Sequence, residues 1–251
     1  MRHRTVAIVV ALAGCGANHG TLFDGGSADG SGVVADAPGG NDTSCGQLSA
    51  VLRDFRSDHP DFEHATGDDR GLVRADLGAD NKPVYAPAGS TSTVSGQASF
   101  DQWYRDTPGV NLHFEQQFPL VEGPTGTFTY DDQTFFPLDG MGWPTMDPAQ
   151  EIYGHNFWFT TEIHSGFVYH GGEKFEFEGD DDVFVFVNNK LALDLGGVHV
   201  AETGTIDFDA SAAALGLSIG GTYPLAVFHA ERHTDQSHFR MTTTIDCLII
   251  E

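Results

Sequence analysis

The sequence predicts an all-β domain, on the basis of its composition, the spacing of its apolar runs and their alternation. The 251 residues include 31 glycines and 19 phenylalanines, a balance typical of many turns and strands rather than helices. Beyond residue 110, short apolar runs bounded by turn residues recur about every 8–12 residues. Antiparallel strands in this pattern predict a β-sandwich or a barrel.

The predicted strands are runs rich in aromatic and β-branched residues. Residues 174–178 alternate polar and aromatic side chains, so one face is buried and one is solvated. Residues 183–187 are apolar throughout, which indicates a central strand covered on both faces. Asn188 and Asn189 then predict a two-residue turn, because asparagine tolerates positive φ. The full set of predicted strands is 126–130, 156–163, 166–169, 174–178, 183–187, 190–194, 205–208, 223–230 and 239–245.

Two segments before residue 110 have features of helices. Residues 48–55 carry apolar side chains at helical spacing, but the segment could equally be a first strand. Residues 100–105 predict a short helix, with Ser99 as its N-cap and Pro108-Gly109 closing it.

The first residues predict export. Arg2 and Arg4 precede a short apolar run at 5–13, the pattern of a signal peptide. Such a run is too short to span a bilayer, which needs roughly 20 helical residues. Leu12-Ala13-Gly14-Cys15 resembles the cleavage motif of bacterial lipoproteins, which implies a signal peptide at 1–14 and acylation of Cys15. Ordinary secretory cleavage near Ala13 is the alternative.

The region after the predicted cleavage site separates into a tether and a domain. Residues 15–44 are rich in Gly, Ser and Asp and predict a flexible tether behind the lipidated cysteine. Residues 45–251 are long enough for one well-buried core. By analogy with lipoproteins of two-membrane bacteria, Gly16 after the cysteine favours the outer membrane. We therefore expect a cell-envelope protein, anchored to the membrane through Cys15, that is surface-exposed or faces the periplasm.

The other two cysteines, Cys45 and Cys247, lie near the two ends of the predicted domain. An even pair in an oxidising compartment favours a disulfide. Two separated thiols are the alternative.

The charge of the chain bears on its partners. A formal net charge of −24 at pH 7 repels nucleic acid, so no nucleic-acid partner is expected. Asp180, Asp181 and Asp182 lie consecutively between two predicted strands. Their like charges repel unless neutralised, and calcium takes most of its ligands from carboxylate and carbonyl oxygens. A hydrated polar turn is the alternative.

A series of motifs in order along residues 50–245 resembles the fibro-slime domain, a branch of the PA14-like superfamily. The motifs are Arg53-Asp54-Phe55, His59-Pro60-Asp61-Phe62-Glu63, Phe135-Phe136-Pro137-Leu138-Asp139, His155-Asn156-Phe157-Trp158-Phe159-Thr160-Thr161-Glu162, Gly179-Asp180-Asp181-Asp182-Val183-Phe184-Val185-Phe186-Val187-Asn188-Asn189-Lys190, Asp194-Leu195-Gly196-Gly197-Val198-His199 and Ala230-Glu231-Arg232-His233.

The resemblance implies an all-β, PA14-like antiparallel β-sandwich with one or two short helices and a non-catalytic, extracellular role. It also implies that Asp180 and Asp181, joined by a cis peptide, bind calcium that holds a sugar. The family's second calcium loop supplies an asparagine that 232–239 lacks, so Asp235 would have to act as the further metal ligand. Gln236 and Ser237 are the other candidates in that loop and would contact the ligand.

Asp182 and Trp143 complete the predicted ligand-binding residues. Asp182 stands where many PA14 domains have glycine. Trp143 lies in an apparent loop, 140–144, and an indole can stack on the apolar face of a sugar ring.

Three classes of function follow. The first is calcium-dependent binding of a carbohydrate or extracellular-matrix polymer, that is, adhesion. The second is a structural or spacer lipoprotein without a small-molecule ligand. The third is a metal-dependent hydrolase, because His229, Glu231 and His233 alternate along one predicted strand and could bind zinc or act as acid and base. An enzyme is not expected, since the segment belongs to the family signature.

Overall fold

The computed structural model describes residues 43–63 and 65–250. The predicted signal peptide, the acylation of Cys15 and nearly all of the tether lie outside these residues. Within them, no helix combines the length and apolarity needed to cross a membrane.

The described residues form fourteen β-strands, two α-helices and three 3-10 helices. The strands are β1 (Gln47–Asp54), β2 (Gly67–Asp68), β3 (Leu112–Pro119), β4 (Val121–Glu122), β5 (Phe128–Asp132), β6 (Phe159–Val168), β7 (Lys174–Gly179), β8 (Asp182–Val187), β9 (Lys190–Leu195), β10 (Gly197–Val198), β11 (Glu202–Asp207), β12 (Thr222–Glu231), β13 (Phe239–Thr243) and β14 (Ile249–Ile250). The α-helices are α1 (Gln97–Phe100) and α2 (Phe208–Leu215), and the 3-10 helices span Thr43–Gly46, Trp143–Thr145 and Pro148–Gln150.

Two antiparallel sheets contain most of these strands. The larger sheet has the order β3-β1-β6-β12-β8-β9, with β14 also paired to β6, and the smaller has the order β11-β7-β13-β5-β4. One buried core contains side chains from both sheets, for example Val183 and Val185 of β8 and Phe175 and Phe177 of β7. The all-β, antiparallel prediction is therefore confirmed.

The strand β8 is covered on both faces, as its unbroken apolar sequence predicts. Its valines face the core between the sheets, while Phe184 and Phe186 belong to a second buried cluster with Trp103 and Tyr104. That cluster lies under the segment between β2 and β3, which forms an outer layer on the larger sheet. The turn after β8 has φ values of 51° at Asn188 and 61° at Asn189, which confirms the predicted turn type.

A buried acid on β6 fastens the outer layer to the sheet. Glu162 accepts hydrogen bonds from Arg53 Nη1 at 2.8 Å, from His164 Nε2 at 2.6 Å and from Lys82 Nζ of the outer layer. Burial alone would raise the pKa of Glu162, but the hydrogen bonds from His164 and Lys82 and the charges of Lys82 and Arg53 lower it to about 2. Glu162 is thus ionised across the ordinary pH range.

The predicted helix at 100–105 is misplaced. The helix α1 spans Gln97–Phe100 and its N-cap is Gly96, not Ser99. The Ser99 hydroxyl instead donates to Asp61 Oδ1 at 3.0 Å. The side chain that looks like a cap in sequence is therefore used in a tertiary hydrogen bond.

The remaining differences concern elements whose signal is not local. The ambiguous segment at 48–55 is the strand β1, because it pairs with both β3 and β6. The helix α2 replaces the end of the strand predicted at 205–208. Its N-cap is Asp207, whose side chain accepts the N–H of Ala210 at 3.1 Å, and its C-cap is Gly216 with φ 73°.

A disulfide joins Cys45 and Cys247, with 4.7 Å between their Cα atoms. It links the start of the described domain to its end.

Candidate functional site

An open cavity of about 470 Å³ lies where β7 runs into β8. Its wall contains Asp180 and Asp181 together with residues 66–67, 198–200 and 233–236. Four separate segments of the chain therefore meet around the two aspartates.

The Asp180-Asp181 peptide bond is cis, and Gly179 precedes it at the end of β7. A Cβ atom on Gly179 would lie 2.5 Å from the carbonyl oxygen of His238. Glycine is required there because the segment leading into β13 passes so close. Both aspartates are nearly buried, with 2% of Asp180 and 4% of Asp181 exposed.

Backbone N–H groups orient the two carboxylates. His238 donates its N–H to Asp180 Oδ1 at 2.5 Å, and its ring Nδ1 lies 3.0 Å from Oδ2. Asp181 accepts the N–H of His199 at Oδ1 and the N–H of Arg232 at Oδ2, both at 3.0 Å. Three segments thus fix the direction in which the carboxylates point.

Four acidic side chains are buried at this end of the domain, those of Asp180, Asp181, Asp182 and Glu231. Desolvation raises the pKa of Asp181 well above its ordinary value; the charge of Arg232 opposes this shift and that of Asp182 adds to it. Glu231 is also fully buried. Desolvation first, then the charges of Asp181 and Asp180, raise the pKa of Glu231. A bound cation would stabilise the ionised forms of these carboxyl groups.

Asp182 is used in the interior of the protein, not in the cavity wall. Its Oδ2 accepts from Arg232 Nε at 2.6 Å and its Oδ1 from the N–H of Gly197 at 2.8 Å. Arg232 also donates through Nη1 to the carbonyl oxygens of Asp61 at 2.9 Å and Thr93 at 2.8 Å. Asp182 and Arg232 are both fully buried, so the structure does not bring Asp182 to the surface where a ligand would bind.

The loop at 233–238 supplies the other predicted residues. Asp235 and Gln236 line the cavity beside the aspartate pair. Ser237 is 2% exposed and lines a neighbouring cavity instead. The structure therefore brings Asp235 and Gln236, but not Ser237, to the pair.

Trp143 lies elsewhere. It begins a 3-10 helix, its backbone N–H donates to Asp54 Oδ2 at 2.6 Å, and the guanidinium carbon of Arg56 lies 4.3 Å from its ring centroid. The cavity wall, as formed by the described residues, does not include Trp143.

The three residues considered for a zinc or acid–base site do not converge. His229 is fully buried among aromatic rings, its Nε2 lies 2.7 Å from the carbonyl oxygen of Asp180, and desolvation lowers its pKa to about 4. His233 follows the end of β12 and lines the cavity. Across residues 43–63 and 65–250, no three His, Cys, Asp or Glu side chains are arranged to hold a metal ion. A calcium ion at Asp180 and Asp181 would need backbone, water or ligand oxygens as its remaining ligands.

Sequence reasoning missed the residues that hold the aspartates, namely His199, Arg232 and His238. All three bind through backbone N–H groups, which any residue except proline could supply. For His199, only its position in the sequence indicates a role near the aspartates. It follows the Gly196-Gly197 pair, and a Cβ on Gly197 would clash with the backbone at Gly67.

An antiparallel β-sandwich with an aspartate pair at its rim is the arrangement expected of a PA14 domain. The family model of the PA14 domain matches residues 150–247, which include the pair and the 233–238 loop. Residues 150–247 are therefore similar to a PA14 domain. The narrower resemblance to the fibro-slime domain stays a prediction.

The chain is similar to several proteins of Dictyostelium discoideum. It is 40% identical to protein psiD, over 79% of this chain and 41% of psiD, and 41% identical to protein psiQ, over 70% of this chain and 18% of psiQ. It is 36% identical to protein psiC, over 81% of this chain and 42% of psiC. The chain spans less than half the length of each of these relatives.

Among solved structures, the chain is similar to a PA14 sugar-binding domain from an RTX adhesin, with a TM-score of 0.36 and 10% identity over 79% of this chain and 89% of that one. It is also similar to the PA14 domain of the MpAFP antifreeze protein, with a TM-score of 0.36 and 8% identity over 81% of this chain and 85% of that one.

Proposed function

We propose that this chain is an exported, calcium-dependent carbohydrate-binding module that acts in adhesion and binds its ligand at Asp180 and Asp181. The observation that carries the proposal is the pair of adjacent, nearly buried carboxylates in the wall of an open cavity. Burying two like charges side by side is unfavourable without a counter-charge, so the arrangement favours a cation.

The donor chemistry fits a hard cation. The cavity offers carboxylate oxygens from Asp180 and Asp181, and calcium prefers such ligands, with water and ligand oxygens completing its coordination. Bound calcium would supply positive charge and open coordination positions for vicinal hydroxyl groups. Asp235 and Gln236 would orient a sugar by hydrogen bonds to its other hydroxyls.

Export is supported by the disulfide between Cys45 and Cys247, because disulfides persist mainly in oxidising compartments. The N-terminal pattern that ends at Cys15 adds membrane anchoring to the proposal, with the outer membrane as its location. Expression in a two-membrane bacterium tests this: the chain should partition into detergent, and Cys15→Ala should move it to the soluble fraction. Equal partitioning of both forms would contradict the anchor.

Calcium binding is tested by thermal unfolding of the 43–251 domain with calcium and with chelator. Binding to the folded state alone adds about 2.7 kcal/mol when calcium is at 100 times its dissociation constant. We expect the unfolding midpoint to rise with millimolar calcium and Asp181→Asn to abolish the rise.

The matched control is Asp246→Asn, which removes an exposed aspartate outside the cavity wall and should leave the calcium effect intact. Circular dichroism establishes that each variant is folded. If Asp181→Asn does not fold, Asp180→Asn replaces it as the test variant. An unchanged midpoint for the wild-type domain in millimolar calcium would rule out the site. A glycan array, read with calcium and with chelator, then tests for a carbohydrate ligand.

A further inference from the structure

A second cavity, of about 330 Å³, adjoins the first. Asp235 and Gln236 line both cavities, so the 233–238 loop separates two spaces that a ligand of sufficient length could occupy together. On its far side the second cavity is bounded by Gln133, Thr134, Phe136, Tyr153, His155 and Phe157.

The far wall of the second cavity is aromatic. Phe136 and His155 stack face to face, with their ring centroids 4.0 Å apart and an angle of 16° between the rings. Tyr153 lies beside them and is 84% exposed. Gln133, Thr134 and Gln236 add polar groups to the same space.

Tyr153 is presented by a tight, well-defined turn. Ile152 and His155 exchange two backbone hydrogen bonds of 3.0 Å across it, and Tyr153 and Gly154 have φ values of 55° and 84°. A bulky aromatic residue at positive φ is uncommon, and here it holds the phenol ring in solvent at the cavity edge.

The stacked wall is also held in place. Asp139 accepts from His155 Nδ1 at 2.6 Å and from the N–H of Asn156 at 2.9 Å. These contacts already fix the side chains of the wall, so ligand binding would cost less conformational entropy. A preorganised surface therefore binds more tightly for the same contact area.

From these contacts we infer that the second cavity is a subsite for a further sugar unit, so that the domain recognises an oligosaccharide across the 233–238 loop. The inference rests on the proposed function, because the first sugar unit occupies the Asp180–Asp181 cavity. Sugar rings present apolar C–H faces and polar edges, and a wall of aromatic faces with amide and hydroxyl groups nearby matches both.

The test uses the full chain with Cys15→Ala, which keeps it in solution, and an array of matched mono-, di- and trisaccharides of mannose, glucose, galactose and fucose, probed in the presence of calcium. For the series that binds, affinities for the mono- and trisaccharide are then measured by titration. We expect wild type to bind the trisaccharide about tenfold more tightly, a difference of about 1.4 kcal/mol. Tyr153→Ala should remove this gain without changing monosaccharide affinity, while Tyr153→Phe should retain it.

Met146→Ala is the matched control, because Met146 is 63% exposed nearby in the chain and is not among the residues of either cavity wall. Equal affinity for mono- and trisaccharide, or a Tyr153→Ala variant that keeps the gain, overturns the subsite and leaves the proposed function standing. If no saccharide of any length binds in calcium, the subsite and the proposed function both fall.

Discussion

Arg232 should contribute several kcal/mol to the free energy of unfolding, because it is a buried cation that contacts three segments of the chain. It pairs with Asp182 at 2.6 Å, with both side chains fully buried, and donates to the backbone oxygens of Asp61 and Thr93. Its guanidinium carbon also lies 4.6 Å from the ring centroid of Trp103.

The proposed perturbation is Arg232→Met, which keeps most of the apolar stem and removes the charge. Asp182 would then be a buried carboxylate without a cation, and the two carbonyl oxygens would lose their donors. Removing one partner of a buried pair costs about 3–5 kcal/mol. For a domain of this size, about 2–4 °C of melting temperature per kcal/mol converts this loss to roughly 6–20 °C.

Arg240→Met is the control within the same chain. Arg240 pairs with Glu178 at 3.3 Å and Asp131 at 3.8 Å, but its side chain is 39% exposed. Exposed pairs contribute about 0–1 kcal/mol, so this variant should lose less than about 1 kcal/mol.

Urea denaturation without reductant, monitored by tryptophan fluorescence and circular dichroism, gives the free energies of unfolding. The double variant Arg232→Met with Asp182→Asn should lose less than the sum of the single losses, by at least about 1 kcal/mol. Equal losses for Arg232→Met and Arg240→Met, or simple additivity in the double variant, would refute the assignment of the buried pair.

Three further predictions concern stability. Replacing Cys45 and Cys247 by serine opens a loop with a sequence separation of 202, which should cost about 5 kcal/mol in urea denaturation; a loss under about 1 kcal/mol contradicts the bond. The pKa of Glu162 falls from 4.5 to about 2 on folding, so its ionisation adds stability above pH 4.5 that is lost as pH falls toward 2. The stability that Glu162→Gln loses relative to wild type should thus shrink by about 3 kcal/mol between pH 7 and pH 2. A stability difference that does not change with pH would contradict the lowered pKa. Gly142→Ala should lower the free energy of unfolding by at least about 1 kcal/mol, because Gly142 has φ 63° and a Cβ there would overlap the Asp54 carboxylate. An unchanged melting temperature would show that this contact can relax.

Most of the strands could be predicted from the sequence because their signal is local. Residues 183–187 predict β8, because an unbroken run of apolar residues is typical of a strand that is buried on both faces. The sequence does not indicate β3, because Glu115, Gln116 and Gln117 interrupt the alternation of apolar residues; the strand is defined by its pairing with β1. The sequence does not indicate α2, because the strand pattern at 205–208 continues through its N-cap, Asp207, to Phe208, its first residue.

The candidate site was predictable only in part. Asp180 and Asp181 stand out because they are adjacent and lie between two strands. Their hydrogen-bond donors do not stand out, since a backbone N–H leaves no trace in residue type. The sequence places Trp143 in a loop that looks exposed, whereas in the structure the guanidinium of Arg56 lies over its ring.

The covalent link between Cys45 and Cys247 has a mechanical consequence. A pull applied between residue 45 and a ligand held at the Asp180–Asp181 cavity divides between two arms of the chain, one running forward from Cys45 and one running back from Cys247. Neither arm can extend without the other. The domain should therefore resist peeling from its N-terminal strand more strongly than the form in which this disulfide is reduced.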